Sequence, residues 1–507
     1  MTSPPLPEAR EEHPPPPRHR RPAPRDGGAA RPLLLRKSSR TAVWRKTVRA
    51  IEAYLERVSH HAVGADFDPQ TVRELVAGFD FASPIDALEA LDRAVEGLWR
   101  HQTHTSHPRC FGLFVPAATT LGIASDALVA AFNPQLANWA HSPFAVEVER
   151  HLVRTFGAAF GYAPERADGT LTSGGAEANH TAIVAALAHS FPDFPERGLR
   201  ALSGEPVLYM SAEGHGSIAK AARFCGLGSQ CVRAIRVDAE WRADPADLAE
   251  RIAADRRAGS LPFLVVGTAG TTGAGAIDPL DRLADVAESE GLWLHADAGW
   301  GGAAAFVPEL RHVLAGVARA DSIAFDAHKW LSAPMGAGFY LTRHSEPLER
   351  ACEVTAAYMP RDAEAPDVED PYRRSLPWSR RFAGLKVLLA LAVAGWDGYA
   401  AVLRNQVALG GALRHELERA GWGIVSSTPL PLVCFVDRWR PDGRSAEYLD
   451  AVARHVVSSG KAWLSTTRLG SHTPALRACI SNYRTTEDDV RVLVACLAEA
   501  RREVPHP

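Results

Sequence analysis

The chain has 507 residues, with 56 Lys and Arg against 59 Asp and Glu, a formal charge of −3. With 46% apolar and 23% charged residues it has the mix of a globular protein, and near-neutral charge gives no global attraction to nucleic acid or an anionic membrane. No run of about 18 strongly apolar, uncharged residues is evident, and seven cysteines without a Cys-x-x-Cys pair count against a disulfide framework or zinc ribbon and fit a reducing cytoplasm.

Residues 1–40 hold ten prolines and nine basic against four acidic residues. Such a segment cannot bury enough apolar surface to offset its ordering entropy, so a disordered tail is expected. From Thr41 to residue 119 apolar residues recur at helical spacing: Val43, Val48, Ile51, Tyr54, Leu55 and Val58, then Leu88, Leu91, Val95 and Leu98. Between 120 and 384, short apolar runs alternate with helical ones. Pro206–Met210, Leu261–Val266, Leu292–His295, Ser322–Phe325 and Gly338–Leu341 read as buried strands. Glu177–Ser190, Ser217–Cys225, Leu280–Ser289 and Leu310–Ala318 read as helices. Alternation of this kind implies an α/β domain whose mostly parallel sheet has helices on both faces. A long helix, Phe382–Trp396, then leads into a smaller α+β domain over 385–507.

In such sheets ligands sit at the carboxyl ends of strands, and three polar groups fall there. Thr172-Ser173-Gly174-Gly175-Ala176-Glu177 joins a turn to a helix start, whose unpaired N–H groups suit a phosphate. Asp297, in His295-Ala296-Asp297-Ala298-Gly299-Trp300, ends an apolar strand, where a carboxylate either caps a helix or holds a cation. Lys329, in Asp326-Ala327-His328-Lys329-Trp330, ends another; partial desolvation there favours a neutral, nucleophilic amine. Phosphate cradle, carboxylate and lysine together are what pyridoxal phosphate requires.

The segments Thr172–Asn179, His295–Gly301 and Asp326–Trp330 resemble the signature segments of the group II pyridoxal-phosphate-dependent amino acid decarboxylases. That family includes the aromatic, glutamate, histidine and diaminobutyrate decarboxylases. His107-Pro108-Arg109, Gly270-Thr271-Thr272-Gly273, Ser379–Lys386 and Arg477–Asn482 extend the likeness. It implies a fold-type I transferase-like architecture with a seven-stranded type of sheet, a 41–119 dimerisation segment, a 120–384 cofactor domain and a small C-terminal domain. It also implies a cytoplasmic homodimer whose subunits share the active site, and no metal.

By position, Lys329 resembles the lysine that carries the cofactor, Asp297 the partner of the pyridine nitrogen, and His215 the histidine stacked on the ring. Thr272 resembles a residue supporting the ring, and Gly174, Gly175 and Ala176 match the phosphate contacts. Asp326 and His328 belong to the same cofactor site. Gly299 replaces a more usual alanine, which is expected to loosen packing on the ring. Tyr358, 29 residues after Lys329, matches a loop tyrosine that protonates the substrate carbon after CO2 leaves. Tyrosine there implies an amine product, with decarboxylative oxidation to an aldehyde, or another lyase reaction at Cα, as the alternative. Leu113 and Ala137 match substrate-pocket positions that are aromatic in aromatic amino acid decarboxylases, which leaves an aliphatic, acidic or unusual amino acid as open as an aromatic one.

Overall fold

In the computed structural model, residues 33–64, 67–114, 116–354 and 368–505 are described. They fall into two compact units, the described parts of Met1–Leu55 with Pro69–Arg100, and those of Glu56–Asp68 with His101–Pro507. The first unit contains the helices Pro69–Ala77 and Ala87–Arg100 and most of Lys37–Arg57. Tyr54 meets Trp99 edge-on at 5.1 Å. None of the residues of these three helices is fully buried: most of their apolar residues are half-buried, and Trp44, Val48, Val76 and Leu98 are left exposed.

The second unit is built on a seven-stranded sheet. Its strands are β1 (Asp168–Thr172), β2 (Pro206–Ser211), β3 (Val232–Ile235), β4 (Leu261–Thr268), β5 (Trp293–Asp297), β6 (Ser322–Asp326) and β7 (Gly338–Thr342). The order is β1-β7-β6-β5-β4-β2-β3. Strands β3, β2, β4, β5 and β6 run parallel, and β7 is antiparallel to both β6 and β1. Every residue of β5, β6 and β7 is buried, which explains their near-continuous apolar runs. A second, antiparallel sheet joins β8 (Trp422–Ile424), β9 (Leu432–Asp437), β10 (Ser465–Leu469) and β11 (Thr473–Cys479) in the order β10-β11-β9-β8.

The compact units separate between Arg100 and His101, and the described residues after 384 fall in the same unit as the large sheet. The helix expected over Leu310–Ala318 is instead two 3-10 segments, Pro308–Leu314 and Val317–Arg319. Gly316 interrupts them with φ 91°; a Cβ there would lie 2.2 Å from the Asp281 backbone nitrogen, so only glycine allows this approach.

The long helix is Gly384–Arg419, broken at Gly395 (φ 65°, ψ 173°). By length and composition it could cross a bilayer, but here it packs against the helices Thr120–Phe132 and Pro143–Ala159. Its first N–H groups are satisfied by Glu149, 3% exposed, on the second of these helices. Glu149 Oε1 accepts from Ala383 N (3.1 Å) and Gly384 N (3.2 Å), and Oε2 pairs with Arg380. Glu149→Ala strips a buried charge and a helix start of their partner together. We expect it to cost about 3–5 kcal/mol, read as a lower urea midpoint at unchanged slope.

Candidate active site

Each polar group singled out at a strand end is fixed by the element that follows. After β1 the chain turns through Ser173 and Gly174 into the helix Gly175–Ser190. Glu177 folds back so that its Oε2 accepts from Ser173 N (2.9 Å) and Ser173 Oγ (2.6 Å), fixing the turn. A Cβ at Gly175 would stand 2.8 Å from Asp326 Oδ2, and one at Gly174 3.2 Å from the His328 ring. The glycines therefore let the helix start, with its unpaired N–H groups, approach the loop that carries Lys329.

Asp297, at the end of β5, is 8% exposed. Its Oδ2 accepts from Asn179 Nδ2 at 2.9 Å and its Oδ1 from Gly299 N at 3.2 Å. Behind it the network continues through polar side chains that strand and helix bury. Asn179 Nδ2 also donates to Ser217 Oγ (2.8 Å), and Ser217 Oγ lies 2.8 Å from His215 Nδ1. On the other side Asn179 Oδ1 meets His295 Nε2 (2.9 Å), His295 Nδ1 meets Ser322 Oγ (2.8 Å), and Trp293 Nε1 donates to Ser322 Oγ (2.9 Å). Burial pushes His295 down to about 4 against the opposing pull of Asp297, so the ring is neutral near neutral pH.

Beyond β6, Lys329 Nζ lies 2.9 Å from Oδ2 of Asp326, which is 1% exposed; Asp326 Oδ1 has no hydrogen-bond partner. His328 accepts from Ala337 N through Nδ1 (3.3 Å), and burial holds its pKa below the usual imidazole value. A Cβ at position 299 would fall 3.0 Å from Lys329 Nζ and 3.3 Å from Asp297 Oδ1. In this chain the glycine admits the amine rather than loosening a wall.

All ten residues expected around the cofactor (Gly174, Gly175, Ala176, His215, Thr272, Asp297, Gly299, Asp326, His328 and Lys329) line a single cavity of about 340 Å³. Asn179, Thr268, Trp300 and Met335 line it too, and the sequence reading missed them. A buried asparagine in an alanine-rich helix, four residues after Gly175, was the available signal for Asn179. Leu113 and Ala137 do not line it: Leu113 is 40% exposed, and Ala137 is buried with its carbonyl accepting from Tyr372 N. Phe114, on the same loop as Leu113, packs behind the wall instead, stacked on Trp300 with ring centroids 4.5 Å apart. Tyr358 lies outside the described residues.

These groups fit pyridoxal phosphate. An acceptor-only carboxylate is held by two N–H donors, an amine reaches the same cavity, and a helix start with two glycines provides an anion cradle. Asp326 Oδ1 and Thr268 Oγ1 are buried polar atoms left without partners at its edge.

Residues 73–438 match the pyridoxal-dependent decarboxylase conserved domain. The acidic amino acid decarboxylase of Mus musculus is 32% identical over 72% of this chain and 66% of its own length. The cysteine sulfinic acid decarboxylase of Rattus norvegicus is 32% identical over 73% of this chain and 74% of its own. The aromatic-L-amino-acid decarboxylase of Bacillus atrophaeus is 30% identical over 83% and 86%. Among solved structures, mouse CSAD superposes with a TM-score of 0.84 at 27% identity, covering 92% of this chain and 99% of that one. Oryza sativa TDC with pyridoxal phosphate and tryptamine gives 0.86 at 25%, covering 93% and 99%. The chain belongs to the pyridoxal-dependent decarboxylase family, as a pyridoxal-phosphate-dependent carboxy-lyase of amino acids.

Proposed function

We propose that the enzyme converts an L-amino acid to the corresponding amine and CO2, with Lys329 as covalent anchor of the cofactor and Asp297 as partner of its ring nitrogen. One observation carries this reading: the ends of β1, β5 and β6 bring an anion cradle, a hydrogen-bonded carboxylate and a lysine amine to one cavity. Bound there, pyridoxal phosphate supplies an electron sink for the bond broken at the substrate Cα. The first-turn N–H groups after Gly174 hold the phosphate, with backbone donors replacing the side chain that Ala176 lacks. Asp297 keeps the ring nitrogen protonated, its own charge sustained by Asn179 and Gly299. His215 has Nδ1 turned to Ser217, so its Nε2 would be left to hold and orient the substrate carboxylate. Thr272 and His328 border the ring, and Gly299 gives the amine of Lys329 room to swing between Asp326 and the cofactor.

Tyr358 donates a proton to Cα once CO2 has left, and this selects amine over aldehyde. Relatives named for acidic amino acids and cysteine sulfinic acid make an acidic amino acid the substrate class proposed. The apolar residues left exposed in the helices of residues 41–119 support a dimerisation segment and a homodimer sharing its sites; a small domain over 385–507 and a cytoplasmic location complete the reading.

Two variants test the roles. Lys329→Ala is expected to lose the visible absorbance that the parent develops with pyridoxal phosphate, to yield no borohydride-trapped adduct at position 329, and to lose turnover. A trapped adduct elsewhere with turnover intact removes the assignment. Tyr358→Phe is expected to bind cofactor normally while amine formation falls on the order of 10²-fold or more, with aldehyde and peroxide appearing. Product mass analysis and oxygen uptake over a panel of L-amino acids, beginning with cysteine sulfinate, aspartate and glutamate, read both product and substrate class.

A further inference from the structure

The hydrogen-bond chain behind the cavity has a polarity that its carboxylate end dictates. At one end stands the indole N–H of Trp293, which can only donate. At the other is the Asp297 carboxylate, which when ionised can only accept. Four bonds join them: Trp293 to Ser322, Ser322 to His295, His295 to Asn179, and Asn179 to Asp297. Working from the carboxylate, Asn179 must present its amide N–H to Asp297, so its oxygen accepts from Nε2–H of His295. A neutral His295 then has a lone pair on Nδ1, which accepts the Ser322 hydroxyl proton. Ser322 oxygen in turn accepts from Trp293. The indole N–H at the far end is compatible with these directions, and the carboxylate end fixes them. The Tyr340 hydroxyl, buried beside Ser322, is a second acceptor within reach of the Ser322 proton, so the direction of the chain is set from the Asp297 end.

A branch carries this polarity into the cavity. The second N–H of Asn179 goes to Ser217 Oγ, so the Ser217 proton is free for His215 Nδ1. Ser217 N also points at that nitrogen, at 3.3 Å. A backbone N–H only donates, so Nδ1 carries no proton and the ring bears its hydrogen on Nε2.

We propose that Ser322, His295 and Trp293 are positioning residues that lock the Asn179 amide in one orientation, and thereby hold Asp297 doubly donated and His215 as a neutral ring whose only N–H is on Nε2. None of the three lines the cavity; they act through Asn179. Without the Ser322 hydroxyl, His295 can move its proton to Nδ1, toward the Ser322 carbonyl beside the ring. Nε2 then no longer donates, the Asn179 oxygen loses its partner, and the amide's hold on Asp297 and Ser217 loosens. The inference rests on the cofactor lying over Asp297, and its test separates the two claims.

In the 15N-histidine-labelled full-length protein, His295 and His215, assigned by loss of signal in His295→Gln and His215→Gln, are expected to show a lone-pair Nδ1 and a protonated Nε2. Ser322→Ala is expected to weaken pyridoxal phosphate binding about ten-fold by equilibrium dialysis and to shift both histidine nitrogens. Ser322→Thr, which keeps the hydroxyl, is expected to restore both. Protonated Nδ1 atoms in the parent, or a Ser322→Ala protein with parental affinity and unmoved nitrogens, overturns the proposal. A parent that does not bind pyridoxal phosphate instead removes the cofactor reading and with it the affinity claim, while the parental nitrogen shifts still decide the polarity of the chain. If Ser322→Ala does not fold, those shifts decide alone.

Discussion

A carboxylate at the end of a buried strand is expensive unless something donates to it. Asp297 is held at 8% exposure by one side-chain amide and one backbone N–H, and much of the site follows from supplying those two donors. Asn179 has to project from the first turns of the helix Gly175–Ser190, so that helix must start close to the end of β5. Gly299 N has to point back at the strand it has just left. The requirement that fixes Asp297 therefore also fixes the distance between the anion cradle and the carboxylate, without any contact between them.

The lysine is governed by a different balance. Asp326 Oδ1 has no hydrogen-bond partner, and the amine is paired with Oδ2. A buried aspartate left by its lysine is costly, so release of Lys329 toward a cofactor is opposed by Asp326 unless that oxygen finds a new donor. The glycines at 174, 175 and 299 all bear on this pair: a Cβ at 175 would strike Asp326 and one at 299 would crowd the amine. Small residues here keep a reactive amine and its counter-charge mobile within a tightly packed wall.

What was legible in the sequence were the places where chemistry interrupts apolar runs. Asp297 and Lys329 stood out because strands this buried do not otherwise carry charge, and both sit on the cavity. The long parallel strands were readable for the same reason, by continuous apolar composition. β1 and β3 were not: β1, Asp-Gly-Thr-Leu-Thr, is mostly polar, and β3 is a four-residue edge strand carrying Arg233; β1 also contains Gly169, where a Cβ would lie 2.0 Å from the Tyr340 carbonyl oxygen. The helix expected at 310–318 had the right apolar spacing, but spacing cannot reveal that Gly316 must take a positive φ against a neighbouring helix start. The roles of Asn179, a lone polar residue in an alanine-rich helix, and of Ser322 were harder to read for a further reason. Their importance lies in partners more than 25 residues away in sequence, which no local pattern records.

The second sheet shows how far a site can extend into what reads as an appended domain. Arg477 on β11 is 4% exposed, donates Nε to the Thr272 carbonyl (2.7 Å) and Nη1 to the Gly112 carbonyl (2.8 Å), and lies 4.5 Å over the Phe114 ring. Phe114 stacks in turn on Trp300, in the cavity wall. A buried guanidinium binding two carbonyls is a rigid, charge-assisted clamp, and its two targets belong to loops that reach the cavity from opposite parts of the chain. Trp463 tightens the same point, since a Cβ at Gly112 would lie 1.8 Å from its ring. The cofactor-facing loop at 270–273 and the loop at 111–114 are thus held in register by residues after 460. This gives a physical reason why the compact unit runs on past 384 without a break.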